Sequence, residues 1–208
     1  LKKPLSFVML LLIIISTVIT ALTVVFIIGY ILIKGVPNLS PQLFSLKYSS
    51  SNQSMLPSII NTVYLTALTL ILAVPIGIFS AIYLAEYSRK NSLFVKIINV
   101  ANETLSGIPS IVYGLFGFLA FVISKKWGYS LLAGVITLAI MVLPLIIRTS
   151  QEAMLGVDNS FREASYGLGA GKLRTVFKIV LPSAMPGILS GIILAIGRIV
   201  GETAALIY

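Results

Sequence analysis

Few side chains in this sequence could do chemistry, and the missing types are as informative as those present. Among 208 residues there is no Cys and no His, which removes thiol nucleophiles, disulfides, imidazole bases and the usual zinc ligands. A metal-dependent or hydrolytic enzyme is not expected, and neither is a cofactor. Two charged constellations remain. Ser160 and Glu163 have the S-x-x-E spacing of a capping box, in which hydroxyl and carboxylate each satisfy an orphan amide at a helix start. Gly167, Gly169 and Gly171 then supply a stop, so the spacing predicts a short helix from Ser160 that could dock into a partner. Arg198 and Glu202 are opposite charges spaced i, i+4. If the helix continues past Gly201 they share one face, where an arginine offers an anion a bidentate, always-charged partner and the carboxylate holds it in reserve between events. A structural ion pair, or an arginine snorkelling to the interface, is the bland alternative.

One tempting motif fails. Gly167 to Leu173 reads G-L-G-A-G-K-L, but a phosphate-cradling G-x4-G-K-[ST] loop needs Gly where Tyr166 stands and Ser or Thr where Leu173 stands, after a β-strand. Nucleotide binding by this chain is rejected.

The elements that must position these residues are membrane-like. Hydrophobic residues make up 58% and charged ones 10%, with a mean hydropathy of +1.05, too few polar side chains to cover a soluble globule. The fold class expected is an all-α polytopic membrane protein, a single transmembrane domain over residues 1–208. Apolar runs place spans at about 4–33, 58–85, 105–123, 131–147 and 179–200. Between them lie a polar Pro- and Ser-rich loop from Lys34 to Pro57, an amphipathic elbow helix over 91–104, a short turn around Trp127, and the charged loop 148–178 that carries Ser160. Pro75, Pro144, Pro182 and Pro186 interrupt spans, which is tolerable in lipid only where neighbouring helices satisfy the freed backbone. Gly114 and Gly117 in the third span favour tight helix packing over a pore-lining role. The apolar end at Ala204–Tyr208, without a polar tail or cap, suggests truncation.

The net charge of +9 does not point to nucleic acid, because the basic residues sit between apolar runs. With the N-terminus inside, Lys2, Lys3, Arg89, Lys90, Lys96, Arg148, Arg162, Lys172, Arg174 and Lys178 are cytoplasmic. Lys34, Lys47, Lys125 and Lys126 are external and Arg198 lies within the membrane, which is the positive-inside pattern. The 148–178 loop is then cytoplasmic.

Glu163, Ala164, Gly169, Ile179, Leu181 and Pro182 fall on E-A-A-x3-G-x9-I-x-L-P, with Ser165 in place of the second Ala. This resembles the signature loop of permease subunits of bacterial ABC importers. L-S-G-I-P-S-I-V-Y-G-L-F-G at Leu105–Gly117 and G-R-I-V-G-E-T-A-A at Gly197–Ala205 are similar to the PstA-type permeases of phosphate (Pst) importers. The resemblance runs from Ser58 onward and implies a MetI-like permease bundle, with five of an expected six membrane helices present, in the bacterial cytoplasmic membrane. It also implies a PstC-like partner permease, two copies of a PstB-like ATPase and an external phosphate-binding protein. The implied coupling residues are Ser160, Arg162, Glu163, Ala164, Ser165, Gly169, Ile179, Leu181 and Pro182. Arg198 and Glu202 fall in the implied translocation path. An importer of molybdate or sulfate is the nearer alternative, and a channel or ion-driven carrier the more distant one.

Overall fold

A computed structural model describes residues 3–49, 53–88 and 92–207. Lys2, Arg89, Lys90 and Asn91, residues 50–52 of the Ser-rich tract, and Tyr208 lie outside the described residues. The chain forms two compact units, Leu1–Ile59 and Ile60–Tyr208.

The first unit is dominated by α1 (Lys3–Gly35), an unbroken 33-residue helix about 50 Å long at the usual rise per residue. Its hydroxyls do not disturb its apolar surface. Thr17, Thr20 and Thr23 each donate to the carbonyl four residues back, at 2.8 Å, so these three hydroxyls need no water in lipid. The polar stretch that follows folds on itself in two 3-10 turns, Val36–Asn38 and Pro41–Phe44. There the Ser54 hydroxyl donates to the carbonyls of Leu43 and Ser45, and the Met55 amide donates to Leu43 O at 2.8 Å.

α2 (Leu56–Ile82) starts in the last residues of the first unit, passes through Pro75 in the second and ends in a π-helical turn, Tyr83–Tyr87. α3 (Leu93–Ser106) and α4 (Ser110–Gly117, extended by a π-helical turn Phe118–Ser124) meet at a 99° bend. The segment expected at 105–123 is therefore not one helix: Leu105 and Ser106 belong to α3, and α4 starts at Ser110. Pro109 has no N–H to give and disfavours helical geometry at Ile108, so α3 stops short and α4 begins afresh. The Tyr113 hydroxyl donates to Leu105 O at 2.8 Å, tying the bend at a carbonyl that also accepts from the Ile108 amide at 3.2 Å.

α5 (Leu131–Leu155) is the centre of the unit. Leu138, Met141, Val142 and Ile146 on it are fully buried, and its main partner is α8 (Leu181–Val200). The contact is close because α8 presents small residues every three or four positions, Ala184, Gly187, Gly191 and Ala195. A Cβ at Gly191 would collide with the Thr149 side chain, and one at Gly187 would lie 2.7 Å from Ala153 Cβ. Gly114 serves similarly on α4, where a Cβ would stand 2.6 Å from Ala205 O in the closing turn Ala204–Leu206. Both α4 glycines are buried in helix contacts, Gly117 against Thr137.

α5 also runs eight residues beyond Ile147, into the stretch read from the sequence as loop. Arg148 and Glu152 form an exposed i, i+4 pair at 2.9 Å, which sustains helix after the apolar run has ended. At the other side of that stretch, α7 (Lys172–Thr175) passes through a π-helical turn, Val176–Val180, directly into α8. Pro182 removes one amide from the helical ladder, and the widened turn before it absorbs the change of register. What remains between α5 and α7 is α6 (Asn159–Gly167) with short connections on either side. Among the described residues four helices are long and apolar enough to cross a membrane, or five if the bent α3–α4 pair counts as one.

Candidate functional site

The residues picked out around position 160 converge on α6, although the start of that helix differs from the sequence expectation. Its N-cap is Asp158, whose carboxylate accepts from the Ser160 amide at 2.8 Å. Ser160 and Glu163 therefore form no capping box, because the helix begins two residues earlier than that motif requires. Asp158 is at least as good a cap as serine and follows the non-helical Gly156–Val157 turn. The backbone and side-chain hydrogen bonds from Ser160 hold the Asp158 carboxyl below its ordinary range. At the other end the Gly169 amide bonds Tyr166 O at 2.9 Å and the Ala170 amide bonds Ser165 O at 3.1 Å. That is the double closure of a Schellman motif, and it requires the left-handed conformation Gly169 adopts, φ +81°.

Arg162 fixes α6 to the bundle. Its Nε and Nη2 donate to Glu86 Oε1 at 3.1 and 2.6 Å, Nη2 donates also to Met154 O at 2.8 Å, and Nη1 donates to Val157 O at 2.7 Å. The two side chains are 13% and 6% exposed. One guanidinium thus joins the end of α2, the end of α5 and the middle of α6, using its planar fork in a way Lys could not. Three residues on, along the same face of α6, the buried Ser165 hydroxyl shares a 2.8 Å hydrogen bond with Thr175 Oγ1. The one departure from the signature is thereby satisfied, and it links α6 to α7. Lys172 lies 4.9 Å over the Tyr87 ring, a second tie between α7 and the end of α2.

With its inward face held in this way, α6 exposes the rest. Glu163 and Ala164 are exposed, as are Phe161 and Tyr166, and Leu168 is 90% exposed. Ile179 and Leu181 are half-buried where α7 passes into α8, and Pro182 stands in the first turn of α8. The sequence reading placed Arg162 among the coupling residues without its buried partner, and missed Glu86, Asp158 and Thr175. A lone carboxylate at the end of an apolar span marked Glu86, but its partner is 76 residues away.

Arg198 and Glu202 do not form the i, i+4 pair. α8 ends at Val200, and the chain turns through Gly201, whose amide bonds Gly197 O at 3.0 Å. Glu202 is carried off the helical face, and its Oε1 accepts from the Ala205 amide at 3.0 Å, capping the closing turn. Among the described residues Arg198, half-buried in the last turn of α8, has no ion-pair partner.

Residues 73–208 match the family model described as binding-protein-dependent transport system inner membrane component. The chain is 36% identical over 182 residues to the probable ABC transporter permease protein YqgI of Bacillus subtilis, covering 86% of this chain and 62% of that protein. It is 35% identical over 196 residues to the phosphate transport system permease protein PstA of Haemophilus influenzae, covering 93% and 69% of the two chains. It is 44% identical over 138 residues to the PstA of Yersinia pestis, covering 66% and 46%. The chain thus spans under half to about two thirds of the length of these relatives. The fold resembles an inward-facing MetNI methionine ABC transporter, with a TM-score of 0.55 at 19% identity over 69% of this chain and 67% of that one. The bent α3–α4 pair, the small-residue α5–α8 contact and the clamped surface helix are thus carried on a MetI-like permease fold, and the chain belongs to the binding-protein-dependent transport system inner membrane component family.

Proposed function

We propose that this chain is a permease subunit of an ATP-driven importer of inorganic phosphate, forming half of a translocation path in a bacterial cytoplasmic membrane with its N-terminus inside. The observation that carries the reading is α6, a short helix with exposed Phe161 and Tyr166 that Arg162 locks to the ends of α2 and α5. An exposed apolar face on a rigidly mounted helix suits docking into a groove on a separate ATPase. Closure of that ATPase on ATP would push α6, and the Arg162–Glu86 link would pass the push to α2 while Met154 O passes it to α5. Ser160, Glu163, Ala164, Gly169, Ile179, Leu181 and Pro182 shape that docking unit and its continuation into the membrane. The permease itself does no covalent chemistry. Phosphate as the solute is supported by the PstA relatives. The partners that belong to this reading are a PstC-like second permease, two PstB-like ATPase subunits and an external phosphate-binding protein. Arg198, without a carboxylate partner, is the residue on this chain best suited to meet an oxyanion in the path, and Glu202 shapes the turn beside it.

The test is reconstitution of the complex in liposomes with and without this subunit. ATP-dependent phosphate uptake that vanishes without the subunit is the expected result. Uptake of sulfate or molybdate in preference to phosphate would overturn the substrate, and solute flux without ATP would overturn the importer reading.

A further inference from the structure

Between α6 and the start of the α7–α8 helix lies an open groove of about 280 Å³, lined by Ser165, Leu168, Gly169, Arg174, Lys178 and Ile179 among others. Its charge is one-sided. Arg174 and Lys178 stand i, i+4 on one helix face and are both exposed. The lining contains no carboxylate, and among the described residues neither cation forms an ion pair. The Ser165 hydroxyl is already occupied by Thr175, so the two cations are the groove's strong donors.

Depth identifies the occupant. Lys178 is the last charged residue before the uncharged run Ile179–Gly197, so the helix enters hydrocarbon immediately beyond it. Arg174 sits one turn further out, about 6 Å along the axis. This is the layer in which lipid phosphates lie, between the hydrocarbon core and bulk water. Leu168 and Ile179 give the same groove an apolar wall, which suits a molecule with a phosphate at one end and glycerol and acyl carbon at the other. A carboxylate on a soluble partner would have to descend to the edge of the hydrocarbon to reach Lys178.

We propose that this groove binds the phosphodiester headgroup of an anionic phospholipid, with Arg174 and Lys178 on its phosphate oxygens and Leu168 and Ile179 against its glycerol and first acyl carbons. The bound lipid would brace α6 against the membrane-entering helix. The site is independent of which solute is carried, so its failure would leave the transport reading untouched.

The experiment is native mass spectrometry of the purified, delipidated complex titrated with phosphatidylglycerol and, separately, with phosphatidylcholine. Phosphatidylglycerol should be retained preferentially. The double substitution Arg174→Gln with Lys178→Gln should weaken its retention roughly thirty-fold, and each single substitution about five-fold, given the attraction of one basic group to an anionic surface. The exchange Arg174→Lys with Lys178→Arg should retain it, and the single substitutions decide the matter if the double variant does not assemble. Equal retention of the two lipids, or unchanged retention in the Gln variants, would overturn the proposal. So would displacement of the lipid by excess inorganic phosphate, which would mark a free-anion site. Loss of the ATPase from the Gln variants with lipid retention unchanged would reassign the groove to an acidic protein surface.

Discussion

Arg162 makes more contacts between elements than any other charged residue described here, and its value lies in where they go. A buried guanidinium is tolerable only because Glu86 neutralises it and the carbonyls of Met154 and Val157, with Asn159 Oδ1 at 3.4 Å, take its remaining protons. Glu86→Gln removes the charge but keeps the shape, leaving a cation in a site 13% exposed. That should destabilise the attachment of α6 by about 3 kcal/mol, read as faster amide hydrogen exchange across 159–167 with the rest of the bundle protected. Uniform loss of protection would mean that the pair holds the whole unit and not α6 alone. Asp158 acts at the same scale through pH. Its carboxyl is held below the ordinary aspartate range by the Ser160 hydrogen bonds, so the cap is fully present above that ordinary range and is lost as pH falls through the lowered value. Asp158→Asn keeps an acceptor and should remove this acid sensitivity from the α6 amides, which exchange measurements at mildly and strongly acidic pH would show. Arg198→Gln should abolish phosphate uptake by a complex that still assembles and hydrolyses ATP at its basal rate. Failure of assembly would make Arg198 a structural residue.

At the scale of elements, the decisive contact is α5 on α8. Gly191 is a poor helix former, and Ala there would ordinarily gain about 1 kcal/mol. Here the added Cβ meets the Thr149 side chain, so Gly191→Ala should instead destabilise by about 1–3 kcal/mol as overpacking does. Thr149→Ala in the same chain should recover most of the loss, and thermal unfolding of the single and double variants measures both terms. A stabilised single variant would show that the two helices can part without cost. The π-helical turn before Pro182 has the same economy, since the helix from Lys172 to Val200 keeps its continuity by widening one turn. That continuity would make α7 a lever whose outer end is tied to Ser165 and Tyr87.

At the scale of the whole molecule, the distribution of Lys and Arg predicts that α6 faces the cytoplasm and the Ser-rich loop the outside. With no native Cys, a cysteine at Ser51 should react with an impermeant thiol reagent added to intact cells and one at Gly169 should not, and the reverse pattern would invert the topology. Hydropathy and charge spacing alone determined that this is a polytopic helical membrane chain with a charged segment between its last two spans, because those properties depend only on which residues are adjacent. The signature spacing from Glu163 to Pro182 located α6 and its terminating Gly169, since a left-handed helix stop is a local demand. The rest depended on residues brought together from a distance. Asp158 took the cap from Ser160 because the end of α5 set where the chain could turn. Glu202 left Arg198 because the helix closed at Gly201 and an amide at Ala205 was waiting. Glu86 acquired its role only when folding placed it beside Arg162, 76 residues away along the chain. Local spacing reports periodicity and turn chemistry, whereas partners for a charge in a low-dielectric bundle are chosen by packing, and only the tertiary structure contains that choice.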